Sequence, residues 1–358
     1  MNHVSPVSHP AESSIDSGMD TLVCVAIRPE TPTVKTFTFQ SEHGGAPAFE
    51  AGQAMTLAVE IDGELLYRTF SLSSSPARRD AVDVTIKTHP QGRVTRWLHE
   101  RFEVGMRVRA RAPRGTFTIA RRSSDRIALI SAGSGATPLM SMLRAMADAG
   151  AEADVAWFHS ARTPDEVLFA DELARLQQGF GRLSVAVTVS QPVPGWFGYR
   201  GRVSRRLLSV AVPDLGRRDV FCCGPQAFMD EVKLIHAAEG GDRARFHTES
   251  FGRGGTTAKP AVELPAASPL AGEATYRLRV GGREIQVGAD ETILQASLRQ
   301  GVVIPCGCGE GMCGTCIVRK LSGEVVMAHQ GGLSPEEEQA GHILACSTRL
   351  LSDAEIVI

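Results

Sequence analysis

Four of the chain's eight cysteines fall in the eleven positions from Cys306 to Cys316, inside "IPCGCGEGMCGTC" (304–316). Cys308, Cys313 and Cys316 are spaced Cys-x4-Cys-x2-Cys, and Cys346 follows after 29 intervening residues. Clustered thiolates are soft ligands, suited to iron–sulfur clusters or to zinc. A zinc ribbon pairs two short knuckles. Here three ligands come from one loop and the fourth from far along the chain, which is a [2Fe–2S] spacing. Glycines 307, 309, 311 and 314 let the backbone wrap such a cluster and aim N–H groups at its sulfurs. Cys306, two residues before the first ligand, reads as a bystander.

A one-electron centre needs a source of electrons, and several other stretches carry the chemistry of a redox nucleotide. "RTFSLSSSP" (68–76) supplies an arginine fork matched to phosphate oxygens, an aromatic ring and a hydroxyl. Alone it is also what an ordinary serine-rich turn looks like. "LISAGSGATPLMSML" (129–143) reads as a strand, a Gly-x-Gly-x-Thr-Pro turn and a helix. There Gly133 and Gly135 admit a dinucleotide to the helix N-terminus, with Thr137 and Pro138 toward the nicotinamide. Glycine in a strand–helix turn can equally serve packing alone.

The elements that must hold these residues change character along the chain. From Asp20 to about Ile119, short alternating runs such as "VKTFTFQ" and "AVDVTIKTH" predict a small antiparallel β-barrel, interrupted by one helix, "RVTRWLHERF". After Ser124, strands such as "RIALISAG" and "RDVFCCGP" alternate with helices such as "TPLMSMLRAMADAG", "EVLFADELARLQQ" and "GRVSRRLLSVA". That alternation predicts a doubly wound parallel α/β sheet. Residues 252–272 are rich in Gly, Pro, Ala and Ser and read as a linker. Beyond them, a hairpin on Gly281-Gly282, the helix "ETILQASLRQG", the cysteine loop and a last strand, "AEIVI", predict a small α+β domain. The expected organisation is a disordered tail (1–19), a barrel (20–122), an α/β domain (123–251), the linker (252–272) and the cysteine domain (273–358).

Bulk properties exclude other classes. The formal net charge is −2, so no basic surface points to nucleic acid, and no run of about 18 apolar residues points to a membrane span. The N-terminus lacks a basic start and an apolar core, so a cytoplasmic, reducing location is expected, where clustered cysteines hold metal rather than form disulfides.

Residues 273–358 resemble plant-type ferredoxins, which implies a β-grasp fold. They carry 11 acidic and 7 basic residues, a net charge of −4. Such a surface suits transient docking to a basic partner, or is simply solvated. "RTFSLSSSP" resembles the Arg-x-Tyr-Ser flavin motif of the ferredoxin reductase family. The resemblance implies Arg68 on the pyrophosphate, Phe70 in place of the usual tyrosine against the ring system, and Ser71 at flavin N5. "HPQGRVTRWLH" (89–99) resembles the second flavin segment, with Gly92, Val94 and Thr95 presenting backbone N–H groups to the pyrophosphate. "PRGTFTI" (113–119) resembles the loop that ends the barrel. "FCCGPQAFM" (221–229) resembles a nicotinamide signature that sets Cys223, with Gly224 and Pro225, beside the nicotinamide–flavin contact; adjacent Cys222 reads as a core thiol. Phe251, in "TESFG", stands where the family ends this domain with an aromatic residue near the flavin.

Barrel, nucleotide sheet and C-terminal ferredoxin together resemble the reductase components of Rieske-type oxygenases. The narrower likeness of "GEVVMAHQGGLSPEEEQAGHILACS" is to reductases paired with oxygenases that demethylate glycine betaine and related quaternary amines. The resemblance implies FAD rather than FMN, a [2Fe–2S] cluster, NADH or NADPH as donor, and a terminal oxygenase as partner. Other readings are a reductase for another electron-acceptor protein, such as the hybrid-cluster protein, and a non-enzymatic redox or metal-binding regulator. Arg162 is placed to meet a 2′-phosphate, but Gln191 stands where a second cation is common, which implies a modest preference for NADH.

Overall fold

Alternating apolar residues close the first sheet into a barrel. The computed structural model describes residues 19–251 and 275–358, apart from 310 and 313. The predicted linker, most of the predicted tail and the predicted ligand Cys313 therefore lie outside the described residues; Met19, assigned to the tail, already belongs to the first strand. The barrel strands are β1 (Met19–Thr31), β2 (Val34–Ser41), β3 (Ala54–Ile61), β4 (Glu64–Ser71), β5 (Val82–Lys87) and β6 (Arg107–Arg111). They run in the order β4-β3-β6-β1-β2-β5, and a Leu72–Val84 bridge joins the two ends. That single bridge brings the two end strands together without pairing them along their length. Helix α1 (Arg93–Glu100) caps the barrel by burying Val94 and Leu98 among Phe37, Phe39 and Leu57.

The second sheet is parallel and runs β10-β9-β8-β7-β11-β12. Its strands are β7 (Arg126–Ala132), β8 (Asp154–Ala161), β9 (Leu183–Val189), β10 (Tyr199–Arg200), β11 (Asp219–Cys223) and β12 (Phe246–Glu249). Residues Ile127 to Ile130 are fully buried, as expected of a strand covered on both faces. One face is covered by α2 (Ala136–Asp148) and α3 (Ala170–Gly179), the other by α4 (Arg205–Ala211) and α5 (Gln226–Ala238). The chain leaves β7 toward β8 and later returns to its other side as β11. Between these strands lies the topological switch point, where such sheets bind nucleotides.

Two helices start later than their sequence pattern predicts. The stretch before α3 turns through Phe169 at φ 59, because Leu168 and Phe169 are drawn into the core. Helix α4 starts only after Ser204, whose side chain accepts the Leu207 N–H; Gly201, at φ 101, is not helical.

The third sheet runs β14-β13-β19-β15-β17, with β16 paired to β18 beside it. Its strands are β13 (Thr275–Val280), β14 (Arg283–Gly288), β15 (Ile317–Ser322), β16 (Val325–Met327), β17 (His342–Leu344), β18 (Thr348–Leu350) and β19 (Ala354–Val357). Gly281 and Gly282, at φ 54 and 78, make the predicted two-residue hairpin turn. Helix α6 (Ile293–Arg299) and the short α7 (Pro335–Gln339) each begin on a capping box, Thr292 with Gln295 and Ser334 with Glu337. No described helix is long and apolar enough to cross a membrane.

Candidate functional site

The switch point gathers residues from three motifs. Gly133, at φ 54, has open space where a side chain would stand. Gly135 lies against the Cys223–Gly224 peptide, so closely that a Cβ would overlap Cys223 O. Only glycine allows this approach, and it locks the Gly-x-Gly turn onto the Cys-Gly-Pro segment. Thr137 and Pro138 are buried in the first turn of α2, and Thr137 Oγ1 donates to Ser134 O at 3.0 Å, which tightens the loop. Pro225 is the N-cap of α5, so Gly224 and Pro225 form the matching strand–helix turn.

Cys222 and Cys223 sit on opposite faces of β11 and are both buried. Burial alone pushes the Cys222 thiol far up, which keeps it protonated and inert. Cys223 stands beside Ser131 on one side and Glu249 on the other. Ser71 Oγ, from the barrel, donates to Glu249 Oε2 at 3.1 Å, and both residues are buried. Ser71, Glu249, Cys223 and Gly135 thus form one contiguous junction between barrel and nucleotide sheet. Glu249 was not singled out in the sequence. It lies two residues before Phe251 in "TESFG", and the signal that could have found it is a carboxylate at the end of the short strand that leads into that motif. Phe251 itself is 43% exposed.

Arg68 and Phe70 are half-buried on β4. Arg68 Nη1 donates to Tyr67 O at 2.7 Å, and among the described residues no carboxylate forms an ion pair with it. Helix α1 begins at Gly92 without a side-chain cap, so its first-turn N–H groups, those of Val94 and Thr95 among them, have no acceptor within the helix. The N–H of Gly92 is already taken by His89 O at 2.8 Å. Thr95 Oγ1 accepts from His89 N at 3.2 Å and fixes the same loop. A cation without a carboxylate and an uncapped helix start on one barrel fit an anionic cofactor group such as a pyrophosphate.

Arg162 lies where expected, beside the turn whose Gln191 N–H donates to Arg162 O at 2.7 Å. Its guanidinium is already paired: Nε and Nη2 contact Glu166 Oε1 at 2.9 and 2.5 Å. Glu166 also faces Lys87 of the barrel at 3.4 Å. A 2′-phosphate would have to displace that carboxylate.

The cysteine loop folds against the third sheet. Cys316 and Cys346 are buried and Cys308 is half-buried. Gly311 N–H points at Cys346 Sγ at 3.2 Å, and Cys346 N–H at Cys316 Sγ at 3.5 Å. Such donors stabilise thiolate charge. Gly309, Gly311 and Gly314 all have φ near +70, at 75, 72 and 69. A Cβ on Gly311 would stand 2.9 Å from His329 Cα, and one on Gly314 the same distance from Gly332 O. The Cys316 and Cys346 thiols, linked by these backbone donors inside a glycine wrap, fit a cluster, although no group of three ligands is gathered among the described residues. Cys306 is half-buried against the domain core.

Comparison with known proteins agrees with this geometry. Residues 26–119 match the oxidoreductase FAD-binding domain, 129–233 the oxidoreductase NAD-binding domain, and 278–351 the 2Fe-2S iron-sulfur cluster binding domain. The chain is 38% identical to a stachydrine N-demethylase reductase subunit of Rhizobium meliloti, covering 94% of this chain and 95% of that one. It is 37% identical to a glycine betaine monooxygenase reductase subunit of Chromohalobacter salexigens, covering 92% and 93%. Among solved structures, phthalate dioxygenase reductase shares the fold with a TM-score of 0.58 at 24% identity, covering 95% of this chain and 97% of that one.

Proposed function

The chain belongs to the family of reductase subunits of oxygenase systems, and from that premise we propose that it feeds electrons from NADH to a Rieske-type terminal oxygenase that demethylates a quaternary amine. The observation that carries the reading is the junction of Ser71, Glu249, Cys223 and Gly135, which joins a flavin barrel to a nicotinamide sheet on one chain with a cluster domain. When bound, flavin accepts a hydride from NAD(P)H and releases electrons singly, and the [2Fe–2S] cluster takes them one at a time.

The chain's own residues bind, orient and handle protons. Arg68 and the start of α1 hold the flavin's pyrophosphate, and Phe70 lies against its ring system. Gly133 and Gly135 open the way for the dinucleotide. The buried Cys223 sets the floor of the nicotinamide site and helps to exclude water. Ser71 Oγ holds a proton at the junction, and Glu249, hydrogen-bonded to it, is the carboxylate able to replace that proton. Cys308, Cys313, Cys316 and Cys346 hold the cluster. The Arg162–Glu166 pair supports a modest preference for NADH over NADPH.

The test is to combine the reductase, a candidate Rieske oxygenase and either coenzyme with glycine betaine or stachydrine. Oxygenase-dependent release of formaldehyde is expected, with NADH giving the higher kcat/KM. Rapid reduction of cytochrome c without formaldehyde from any quaternary amine would defeat the substrate assignment.

A further inference from the structure

We propose that Arg114 is a positioning residue that fixes the docked place of the cysteine loop on the barrel and thereby sets the rate of flavin-to-cluster electron transfer. The proposal rests on the redox reading above. It starts from an observation outside the cofactor motifs: an arginine fork on the barrel grips a carboxylate of the ferredoxin domain.

The backbone of Arg114 is fixed to the barrel, because its N–H donates to Ala54 O at 2.8 Å and its carbonyl accepts from Ala54 N at 2.9 Å. Its guanidinium is bidentate on Glu337, Nη1 to Oε2 at 2.7 Å and Nη2 to Oε1 at 2.9 Å. Nη1 also reaches Gly332 O at 3.1 Å. Glu337 is held in turn, since its Oε2 accepts the Ser334 N–H at 2.8 Å in the capping box of α7. The fork therefore grips a braced carboxylate and not a swinging one.

The segment it grips encloses the cysteine loop. Gln330 N–H and Gly332 N–H both donate to Gly311 O, at 2.9 and 3.1 Å. Arg111 Nη1 donates to Gly314 O at 3.1 Å, and the position of a Gly314 Cβ is 3.4 Å from Arg114 Cδ. On the same interface, the buried Thr315, next to the ligand Cys316, meets Thr56 Oγ1 at 3.5 Å. Thr56 pairs with Thr69 at 2.9 Å, and Thr69 lies between Arg68 and Phe70. The loop that holds the thiolates is thus registered directly onto the strands that carry the flavin motif, with Arg114 as its only bidentate charged clamp among the described contacts.

The step served moves one electron from reduced flavin to oxidised cluster, makes and breaks no bond, and is repeated for the second electron of the hydride once the cluster has passed the first to the acceptor protein. Such transfer falls off exponentially with the separation of the two centres, so a loop released from its docked place passes electrons more slowly. Hydride transfer occurs at the other junction, so it does not depend on this contact.

The experiment uses the full-length holoprotein as wild type, Arg114→Ala, Arg114→Lys, Glu337→Gln and the double variant Arg114→Ala/Glu337→Gln. Anaerobic stopped-flow with NADH follows flavin and cluster bands separately, and hydrogen–deuterium exchange reports residues 112–117 and 329–339. The expected result is unchanged flavin reduction and cluster reduction slowed severalfold in R114A. R114K, with charge but no fork, is expected in between. The double variant is expected to be no slower than R114A, since the two side chains act as one contact. Exchange should quicken in both segments. A wild-type rate of cluster reduction in R114A, or equal slowing of flavin and cluster, overturns the proposal. If R114A loses iron or flavin, E337Q decides, because its remaining carbonyl oxygen still caps α7; a wild-type cluster rate there also overturns it. No oxygenase is present in these measurements, so the failure of the oxygenase assignment would not alter their outcome.

Discussion

Each of the barrel's two junctions carries a forked arginine–carboxylate pair, and the two arginines are built differently. Arg144, on α2, is 4% exposed and lies over the Phe169 ring at 5.3 Å. It donates to Ser73 O of the barrel at 2.6 Å and to Glu172 at 2.8 and 2.6 Å, while Ser141 Oγ beside it donates to Ser74 O at 2.7 Å. Burial works against its charge, but the Glu172 contacts more than compensate and hold its pKa above the usual value. Arg114 and Glu337, by contrast, are each about a quarter exposed, at 26% and 27%. A buried ion pair is costly to break from one side, because the remaining charge stays in a poor solvent, whereas a solvated pair contributes little. The barrel–nucleotide junction is therefore built to stay shut around a hydride transfer. The barrel–ferredoxin contact sets a position while remaining easy to undo.

The largest effect expected from breaking this division is that of Cys346→Ser. Electron delivery to cytochrome c should be abolished while flavin reduction by NADH persists in stopped-flow. If flavin reduction vanished too, the two junctions would not be separable.

Arg144→Met should strand Glu172 and cost roughly 3–5 kcal/mol, seen as a lower unfolding temperature by calorimetry and slower hydride transfer. In the same scan Arg114→Ala should lose no more than about 1 kcal/mol, since its pair is partly solvated. Equal losses would erase the distinction.

The finer separation is by pH. His159, fully buried with Nδ1 2.8 Å from Ser131 Oγ, has its pKa pushed down by burial to about 4. It is neutral when folded, whereas the unfolded chain takes up a proton below about pH 6.5. Its contribution to stability is complete above that pH and declines as pH falls toward 4, by at most ~3 kcal/mol. Glu337 behaves differently, because the Arg114 hydrogen bond holds its carboxyl below the usual range. Its contact survives this window and is lost only as pH falls through that lowered value. Between pH 7 and 5 the nucleotide half should therefore destabilise while exchange at 329–339, corrected for the intrinsic pH dependence of amide exchange, keeps the same protection. His159→Gln should flatten the first trend.

What the sequence determined by itself is whatever repeats locally or depends on residue type at fixed spacing. Alternation over residues 20–119 was enough for a barrel, and strand–helix alternation after Ser124 for a parallel sheet. The spacing of Cys308, Cys313, Cys316 and Cys346, with glycines between, was enough for a cluster. Burial and backbone geometry impose periods of a few residues, and those periods are written in order along the chain. The tertiary structure alone decided what joins distant segments. Ser71 meets Glu249 across 178 positions and Arg114 meets Glu337 across 223. Neither pairing leaves a period in the sequence, because it depends on how three finished sheets are set against one another. The same holds for Phe169, turned into the left-handed region by the core it fills, and for Arg162, a free phosphate ligand by residue type but a partner of Glu166 one turn away in the folded chain.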